Sequence, residues 1–338
     1  MIINVDLGQR GYDIVLERGA LGRIGELLRL DRRVLVVTDS GVPEKYAEQV
    51  ATACKAPTVV TVDEGEGSKS FAILERLCKI MLEKGFTRTD CVVAVGGGVV
   101  GDLSGFAAAS YMRGIDFYNV PTTVLSQVDS SIGGKVAINL DSVKNIVGAF
   151  YQPKKVVIDP EVLKTLPRRQ IANGFAEAIK MGLTSDAALF DIFENGDPYA
   201  RIDEVIERSL RVKKSVVEQD EKESGLRKIL NFGHTVGHGI ESEGELRGLY
   251  HGECVALGML PMCGEGVRER LFGVLGKVGL PTALDFDVEK VLAAMEHDKK
   301  VVGEGSITVT YVNEAGKFEL ITMPVSELKE NVRESLGK

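Results

Sequence analysis

Residues 91–102 read CVVAVGGGVVGD, and this stretch does more than any other to decide the fold. The apolar run Cys91–Val95 predicts a buried strand, and the glycines after it predict a tight turn into a helix. The turn, Gly96-Gly97-Gly98-Val99-Val100-Gly101, fits the pattern G-x-G-x-x-G. Between a strand and a helix, such glycines let the backbone approach a pyrophosphate, whose charge then lies at the helix N-terminus. A glycine turn that serves helix packing alone is the alternative.

The first half of the chain alternates apolar, β-branched runs with helical segments. The strand-like runs are 34–37, 58–62, 91–95, 117–120 and 155–158. Continuous apolar strands separated by helices are typical of a parallel sheet covered on both faces. We therefore predict an α/β, Rossmann-like domain over residues 1–160. One feature departs from the usual dinucleotide-binding order, because the glycine loop follows the third strand-like run and not the first. Asp39 and Glu66 are the better candidates for contacts with a ribose.

The pattern becomes helical after about residue 160. The helical segments are 168–182, 185–194, 201–219, 231–243, 251–271 and 287–297. Near the end, 306–312 and 318–322 flank Asn313-Glu314-Ala315-Gly316, which predicts a hairpin. We predict a mainly α-helical second domain over residues 161–338, with the functional site in the cleft between the two domains.

Composition excludes several classes of function. The net charge of −8 argues against nucleic acid or an anionic membrane as the main partner. No tryptophan is present, which disfavours stacking platforms for nucleic acid. The five cysteines form no CxxC pair and lie mostly in apolar runs, as in reduced intracellular proteins. Without a signal-peptide pattern or a run of about 18 apolar residues, the expected location is the cytoplasm.

Three of the four histidines fall between Asn231 and Glu253. His234 and His238 are four residues apart, so on a helix they share one face and could bind a metal together. Two ordinary surface histidines are the alternative. Glu177 and Lys180 are three apart in an apolar helix, which fits either an ion pair or a carboxylate that completes a zinc site. Spacing does not choose between these.

The middle of the chain is rich in lysine. Asp129-Ser130-Ser131-Ile132-Gly133-Gly134-Lys135 and Lys144-Asn145 place cations and small residues beside the carboxyl edge of the predicted sheet. Doubly wound folds bind ligands at that edge, and lysine there suits a phosphate or carboxylate. Most lysines are solvated surface residues, so the glycine pair makes Lys135 the better candidate.

Taken together, these motifs resemble the 3-dehydroquinate synthase family of sugar-phosphate cyclases. The resemblance runs from Val34 to about Lys300. Its markers are Asp63-Glu64-Gly65-Glu66-x-x-Lys69, the glycine loop through Asp102, Pro121-Thr122-Thr123, Asp129 to Lys135, Lys144-Asn145, Glu177-x-x-Lys180, Leu230-Asn231-Phe232-Gly233-His234-Thr235-x-Gly237-His238, His251-Gly252-Glu253 and Asp298-Lys299-Lys300. Two departures, Val136 and Leu140-Asp141-Ser142-Val143, change the loop beside the nucleotide phosphates but remove no charged partner.

The resemblance implies a Rossmann-like NAD domain joined to a helical domain, as in metal-dependent alcohol dehydrogenases. It implies one divalent metal, zinc most often and cobalt as a possibility, held by the residues matching Glu177, His234 and His251. His238 then faces the substrate and is not a ligand. The positions matching the family's NAD contacts are Asp39, Glu64, Gly65, Glu66, Gly67, Ser68, Lys69, Gly98, Val99, Val100, Gly101, Asp102, Thr122, Thr123, Lys135, Lys144, Val162, Leu163, Lys164 and Thr165.

The resemblance also implies a small anionic sugar-phosphate substrate. The positions that would surround it are Asp129, Lys135, Asn145, Lys180, Lys213, Arg227, Asn231, His238 and one of Lys299 and Lys300. Arg113 matches an arginine that the family lends to the neighbouring subunit, which implies a homodimer.

The implied reaction converts 3-deoxy-D-arabino-heptulosonate 7-phosphate to 3-dehydroquinate and phosphate, a step of the shikimate pathway to aromatic amino acids. NAD is regenerated, so the enzyme is a carbon–oxygen lyase. The alternatives are a related cyclase with another substrate, a metal-dependent alcohol dehydrogenase, and a non-catalytic NAD-sensing module. The histidine spacing disfavours the dehydrogenase, and the retained ligands and lysines disfavour the sensing module.

Overall fold

The computed structural model describes residues 1–141, 143–244, 248–295 and 305–337. Its contacts divide the chain into two compact units, Met1–Leu166 and Pro167–Lys338. The change to a helical pattern predicts the boundary after residue 160, whereas the first unit of the structure ends at Leu166.

The first unit is built on β-strands. They are β1 (Ile2–Val5), β2 (Tyr12–Leu16), β3 (Arg33–Asp39), β4 (Ala56–Val62), β5 (Cys91–Gly96), β6 (Asp116–Pro121), β7 (Lys135–Leu140), β8 (Val143–Phe150) and β9 (Lys155–Ile158). Seven of them form one sheet in the order β1-β2-β9-β6-β5-β3-β4. Every neighbouring pair in it is parallel except β1 with β2, and β7 and β8 form a separate antiparallel hairpin.

Helices cover both faces of this sheet, as the apolar runs predict. The helices of the first unit are α1 (Ile24–Leu27), α2 (Glu44–Thr52), α3 (Phe71–Glu83) and α4 (Gly98–Ser110). Leu35 and Val37 pack into one core with Leu77 of α3 and Leu103 of α4. Because the alternate residues Val34 and Val36 are also fully buried, neither face of the sheet is left to solvent.

The carboxyl ends of β3 and β5 form the ligand-binding edge expected of this topology. The chain runs from β3 outward to β4 and then returns to β5 on the other side of β3. Parallel folds bind ligands where the strand order reverses in this way, outside the carboxyl ends of the two strands. The glycine loop follows β5 and therefore lies at the position where the strand order reverses. In the usual dinucleotide-binding order, the loop follows the first strand instead.

The second unit is mainly helical. Its elements are α5 (Arg168–Ser185), α6 (Ala187–Glu194), α7 (Ile202–Gln219), α8 (His234–Gly244), α9 (His251–Met259), α10 (Glu265–Val278), α11 (Val288–Met295), β10 (Ser306–Glu314), β11 (Lys317–Pro324) and α12 (Val325–Leu336). The predicted hairpin is confirmed as the antiparallel pair β10 and β11. None of the helices in the described part of the chain has the length and apolar character needed to cross a lipid bilayer.

Several elements differ from the sequence-based prediction. The single helix predicted over 251–271 is wrong, because α9 ends at Met259 and α10 begins at Glu265. Pro261 lies in the short 3-10 turn between them, and proline has no N–H with which to continue an α-helix. The sequence analysis also missed β1, β2, the hairpin β7–β8 and α12. The strands have short or half-exposed apolar runs, whereas the buried Leu328, Val332 and Leu336 of α12 do follow the helical spacing.

Candidate active site

Three side chains of the second unit converge on one point. Glu177 comes from α5, His234 begins α8 and His251 begins α9. Their ligand atoms all lie within 4.8 Å of one another. Oε1 of Glu177 lies 3.6 Å from Nε2 of His234 and 3.6 Å from Nε2 of His251. Two imidazole nitrogens and one carboxylate oxygen are a ligand set that zinc accepts, with a position left for substrate.

The Glu177 carboxylate supports metal binding at this point. The side chain is almost fully buried, and among the described residues neither of its oxygens accepts a hydrogen bond of ordinary geometry. The Lys180 ammonium forms an ion pair with Oε2, which leaves Oε1 directed at the two imidazoles. The sequence left an ion pair and a metal ligand as alternative roles for Glu177. The geometry accommodates both, with the ion pair on Oε2 and a ligand position on Oε1.

The charges of the three groups are strongly coupled. Burial opposes ionisation of Glu177, but Lys180 and the two imidazoles outweigh it and hold the pKa of the carboxyl well below its usual range. Burial and the Lys180 charge lower the pKa of His234 well below its ordinary value. Burial also opposes the charged form of His251, but the carboxylates of Glu177 and Glu241 raise the pKa of His251 to about 10. A metal that binds Nε2 of His251 would therefore have to displace a proton.

Close helix packing brings the ligands together. A Cβ on Gly252 would lie 2.0 Å from the main-chain oxygen of Asn173, so only glycine lets the start of α9 rest against α5. The Gly252 N–H donates to Oδ1 of Asn173 at 2.7 Å. At the same turn, Glu253 accepts two hydrogen bonds from Arg169 at 2.7 and 2.8 Å. His251 is thereby fixed against the helix that carries Glu177.

The spacing argument that paired His234 with His238 does not describe the cluster. The rings of His234 and His238 are 5.5 Å apart, and those of His234 and His251 are 5.4 Å apart. His238 is exposed and lies beside the triad without joining it. His234 and His238 share one face of α8, but the three residues of the triad come from α5, α8 and α9.

Among the described residues of the second unit, three buried cations accompany the triad. Lys180 lies on α5, Lys213 on α7 and Arg227 in the 3-10 turn Leu226–Asn231. Each is at least nine-tenths buried, and α5 packs against both α7 and this turn. Buried cations are usually paired, and Lys180 is paired here with the Glu177 carboxylate while the Arg227 guanidinium donates to the main-chain oxygen of Glu221.

A capped loop holds Arg227 and Asn231, and the sequence analysis missed its residues. Asp220 accepts N–H groups from Ser224, Gly225 and Arg227, and these bonds hold the pKa of Asp220 below its usual value against the effect of burial. Glu223 has a left-handed φ of 60° and accepts from Nδ2 of Asn231 at 2.7 Å. A run of acidic, glycine and serine residues was the available signal.

In the first unit, Asp39 ends β3 beside the glycine loop that follows β5. The two strands are paired, with Val37 opposite Ala94. Oδ1 of Asp39 accepts from Gly41 N at 2.9 Å and Val42 N at 3.2 Å, and burial raises the pKa of this carboxyl. The pairing of β3 with β5 therefore brings the Asp39 carboxylate close to the glycine loop.

Lys69 gathers several of the predicted nucleotide and substrate residues. Its buried Nζ donates to Oδ2 of Asp102 at 2.7 Å and to Oδ1 of Asn145, and it lies 3.4 Å from Oε1 of Glu66. Asn139, which the sequence analysis missed, donates to Oε1 of Glu66 at 3.0 Å and accepts the N–H of Asn145 at 2.9 Å. This network ties the segment after β4, the start of α4 and the hairpin β7–β8 together.

The glycine loop also serves packing. A Cβ on Gly96 would lie 2.6 Å from Val100, and one on Gly97 would lie 3.2 Å from Thr123. Gly65, by contrast, has a positive φ of 102° and nothing within 4 Å of the Cβ position. A role in helix packing and a role in pyrophosphate binding are therefore compatible for this loop. The tight packing of Gly96 and Gly97 brings the N-terminus of α4 to the edge of the sheet.

The remaining predicted residues are dispersed over the first unit. Thr122 donates its N–H to Gly96 at 3.0 Å, and Val162 to Thr165 form part of a 3-10 turn capped by Asp159. Asp129 lies in a π-helical turn, Lys135 begins β7, and Lys144 lies in β8. Arg113 is exposed and has a left-handed φ of 67°. Lys299 and Lys300 lie outside the described residues.

Comparisons with known families agree with this geometry. The family profile for the N-terminal part of 3-dehydroquinate synthase matches residues 59–173, and the profile for the C-terminal part matches residues 174–301. A 3-dehydroquinate synthase of Streptococcus thermophilus is 40% identical over 352 aligned positions, covering 98% of this chain and 99% of the relative. One from Desulforamulus reducens is 43% identical over 326 positions, covering 89% and 90%.

Solved structures show the same fold. A 2-deoxy-scyllo-inosose synthase complexed with carbaglucose-6-phosphate, NAD+ and Co2+ is 26% identical, with a TM-score of 0.88 and coverage of 99% of this chain and 100% of that one. A 2-epi-5-epi-valiolone synthase from Streptomyces hygroscopicus with NAD+ and Zn2+ is also 26% identical, with a TM-score of 0.85 and 96% of each chain covered. A glycerol dehydrogenase from Schizosaccharomyces pombe, 19% identical with a TM-score of 0.62 over 95% and 88% of the two chains, shares the fold alone.

Proposed function

The chain belongs to the 3-dehydroquinate synthase family, and from this premise we propose how its own residues carry out the family's reaction. The enzyme converts 3-deoxy-D-arabino-heptulosonate 7-phosphate to 3-dehydroquinate and phosphate. The observation that carries the proposal is the convergence of Glu177, His234 and His251, with three buried cations in the same unit.

The triad would hold one divalent ion, and the nucleotide would lie at the carboxyl edge of β3 and β5. When bound, the ion supplies a Lewis acid and the nucleotide accepts and later returns a hydride. The Glu177 carboxylate is suited to the ion because its Oε1 is buried, ionised and faced by both imidazoles. Its Oε2 stays paired with Lys180, which limits Glu177 to one ligating oxygen and keeps the carboxylate in place.

The buried cations would bind the two anionic ends of the substrate. Lys180, Lys213 and Arg227 present charge that is already desolvated, so a carboxylate or phosphate that meets them interacts more strongly than it would in water. Asn231 is oriented by its hydrogen bond to Glu223 and can bind a substrate hydroxyl. His238, exposed beside the triad, would exchange a proton with the substrate.

The first unit would bind NAD. Asp39 suits the ribose hydroxyls, and the N-terminus of α4 suits the pyrophosphate, because its first N–H groups have no partner within the helix. Lys69 is buried against Asp102 and Glu66, so it orders the loop and helix that would line the phosphates. Asp129, Lys135, Lys144 and Asn145 complete the set of proposed contacts on this unit.

We further propose a homodimer in which Arg113 reaches the substrate of the neighbouring subunit. Support comes from the exposed apolar side chains of the hairpin β7–β8, namely Leu140, Val143, Ile146 and Phe150, and from exposed Met112 beside Arg113. Exposed apolar side chains are enriched on surfaces that another protein covers. We also propose a cytoplasmic location, which the free thiol state of all five cysteines supports.

Phosphate release tests the function directly. The protein is incubated with the heptulosonate phosphate, zinc and NAD at a small fraction of the substrate concentration. Because the hydride is returned in every turnover, phosphate should accumulate to many equivalents of NAD with no net rise in reduced-nicotinamide absorbance. A stoichiometric rise would identify a dehydrogenase instead. No phosphate from this substrate, but release from another sugar phosphate, would identify a related cyclase.

A further inference from the structure

Glu241 touches a residue of the triad, although neither the motifs nor the family resemblance assigns it a role. Both of its carboxylate oxygens lie 3.4 Å from Nδ1 of His251. The Glu241 side chain is 13% exposed, and the His251 side chain 35%. The contact is therefore mostly shielded from water, where a charged hydrogen bond keeps more of its strength.

The position of Glu241 on α8 explains this contact. His234, His238 and Glu241 are spaced by four and then three residues, so they lie on one face of the helix. Because α9 packs against α8, that face meets His251 at the first residue of α9. The same helix thus supplies one member of the triad and the carboxylate behind another.

The two histidines of the triad differ in what holds their second nitrogen. Nδ1 of His234 lies 3.2 Å from the main-chain oxygen of Phe232, whereas Nδ1 of His251 faces the Glu241 carboxylate. In a neutral imidazole one nitrogen donates and the other accepts, and the partner of the donor decides which is which. A partner on Nδ1 leaves the lone pair on Nε2, the nitrogen that faces Glu177 in both histidines.

We propose that Glu241 is a positioning residue for the metal, a role that rests on the proposed function. It accepts the Nδ1–H of His251, which fixes the ring orientation and presents the Nε2 lone pair to the ion. A carboxylate in this position also makes the imidazole a better electron donor than a carbonyl partner does. His251 is the most exposed member of the triad, so it depends most on such support.

Zinc affinity of the purified full-length protein tests the proposal, measured by competition with a chelating indicator. Glu241→Ala should raise the zinc dissociation constant by about 10- to 100-fold. Glu241→Gln keeps an oxygen acceptor but loses the charge, so its dissociation constant should lie between those of the wild type and Glu241→Ala. Glu243→Gln is the matched control, because Glu243 lies on the same helix and pairs with Lys290 at 3.5 Å.

A second readout separates positioning from general destabilisation. The visible absorption of the cobalt-substituted protein should change in Glu241→Ala and stay unchanged in Glu243→Gln, since it reports the ligand field of the ion. If Glu241→Ala does not fold, judged by circular dichroism, Glu241→Gln carries the test alone. Zinc affinity and cobalt spectrum equal to wild type in the folded Glu241 variants would overturn the role of Glu241. Absence of zinc binding in the wild type would instead overturn the proposed metal site.

Discussion

Replacing Gly252 by alanine should separate α9 from α5 and so dismantle the metal triad. The added Cβ would lie 2.0 Å from the main-chain oxygen of Asn173, and ordinary contact begins at 3.4 Å. Because the obstructing atom is main chain, no side-chain rotation relieves the clash. The start of α9, with His251, must therefore move away from α5 by more than an ångström.

The cost can be worked out from these contacts. Overpacking of a close interface costs typically about 1–3 kcal/mol, and loss of the hydrogen bond from Gly252 N to Asn173 costs about 1 kcal/mol more. A total of roughly 2–4 kcal/mol should lower the urea midpoint by about 1 M or more. Metal–ligand distances tolerate only about ±0.2 Å, so zinc affinity should fall by at least about 100-fold.

Urea unfolding and chelator competition measure the two effects. Gly273→Ala is the control, because Gly273 lies within α10 and nothing lies within 4 Å of its Cβ position. It should leave zinc affinity unchanged and stabilise the protein by about 0.4–1 kcal/mol. Asn173→Ala removes the hydrogen bond without creating the clash, so it should lose about 1 kcal/mol and keep most of the zinc affinity. Gly252→Ala with wild-type zinc affinity and urea midpoint would refute the packing argument.

Three further outcomes are expected. His251→Ala should lose stoichiometric zinc, measured by elemental analysis, because a three-ligand site loses most of its affinity with one ligand; full zinc content would contradict the assignment. Arg113→Ala should lower kcat/KM by about 10- to 150-fold with NAD affinity unchanged, as for a lost charge-assisted contact to phosphate. Mixing it with Lys135→Ala should restore part of the activity, and mixed dimers without any gain would show that Arg113 acts within its own subunit. Burial raises the pKa of the thiols of Cys91 and Cys263 to about 12. Below pH 9 these two thiols should therefore react with thiol reagents far more slowly in the native protein than in the unfolded chain. A colorimetric thiol assay would measure the difference.

Much of the fold followed from the sequence because burial leaves a periodic signal within each element. The runs 34–37 and 91–95 are apolar at every position, and both belong to strands buried on two faces. The strand β8 shows the limit of that signal, because it has no fully buried residue and its Val143, Ile146 and Phe150 are exposed. A hairpin of this kind cannot be distinguished from a loop by its pattern alone.

The sequence by itself determined which chemical groups were available: a glycine loop after a buried strand, clustered histidines, and a glutamate and lysine in an apolar helix. Their arrangement was decided by the tertiary structure. Spacing along α8 paired His234 with His238, and only the family resemblance pointed to His251. Asp39 lies beside the glycine loop because β3 and β5 are neighbours in the sheet. Glu241 lies behind His251 because α8 and α9 pack closely. Periodicity reports which face of an element is buried, whereas the distance between elements depends on contacts such as that of Gly252 with Asn173, which involve residues far apart in the chain.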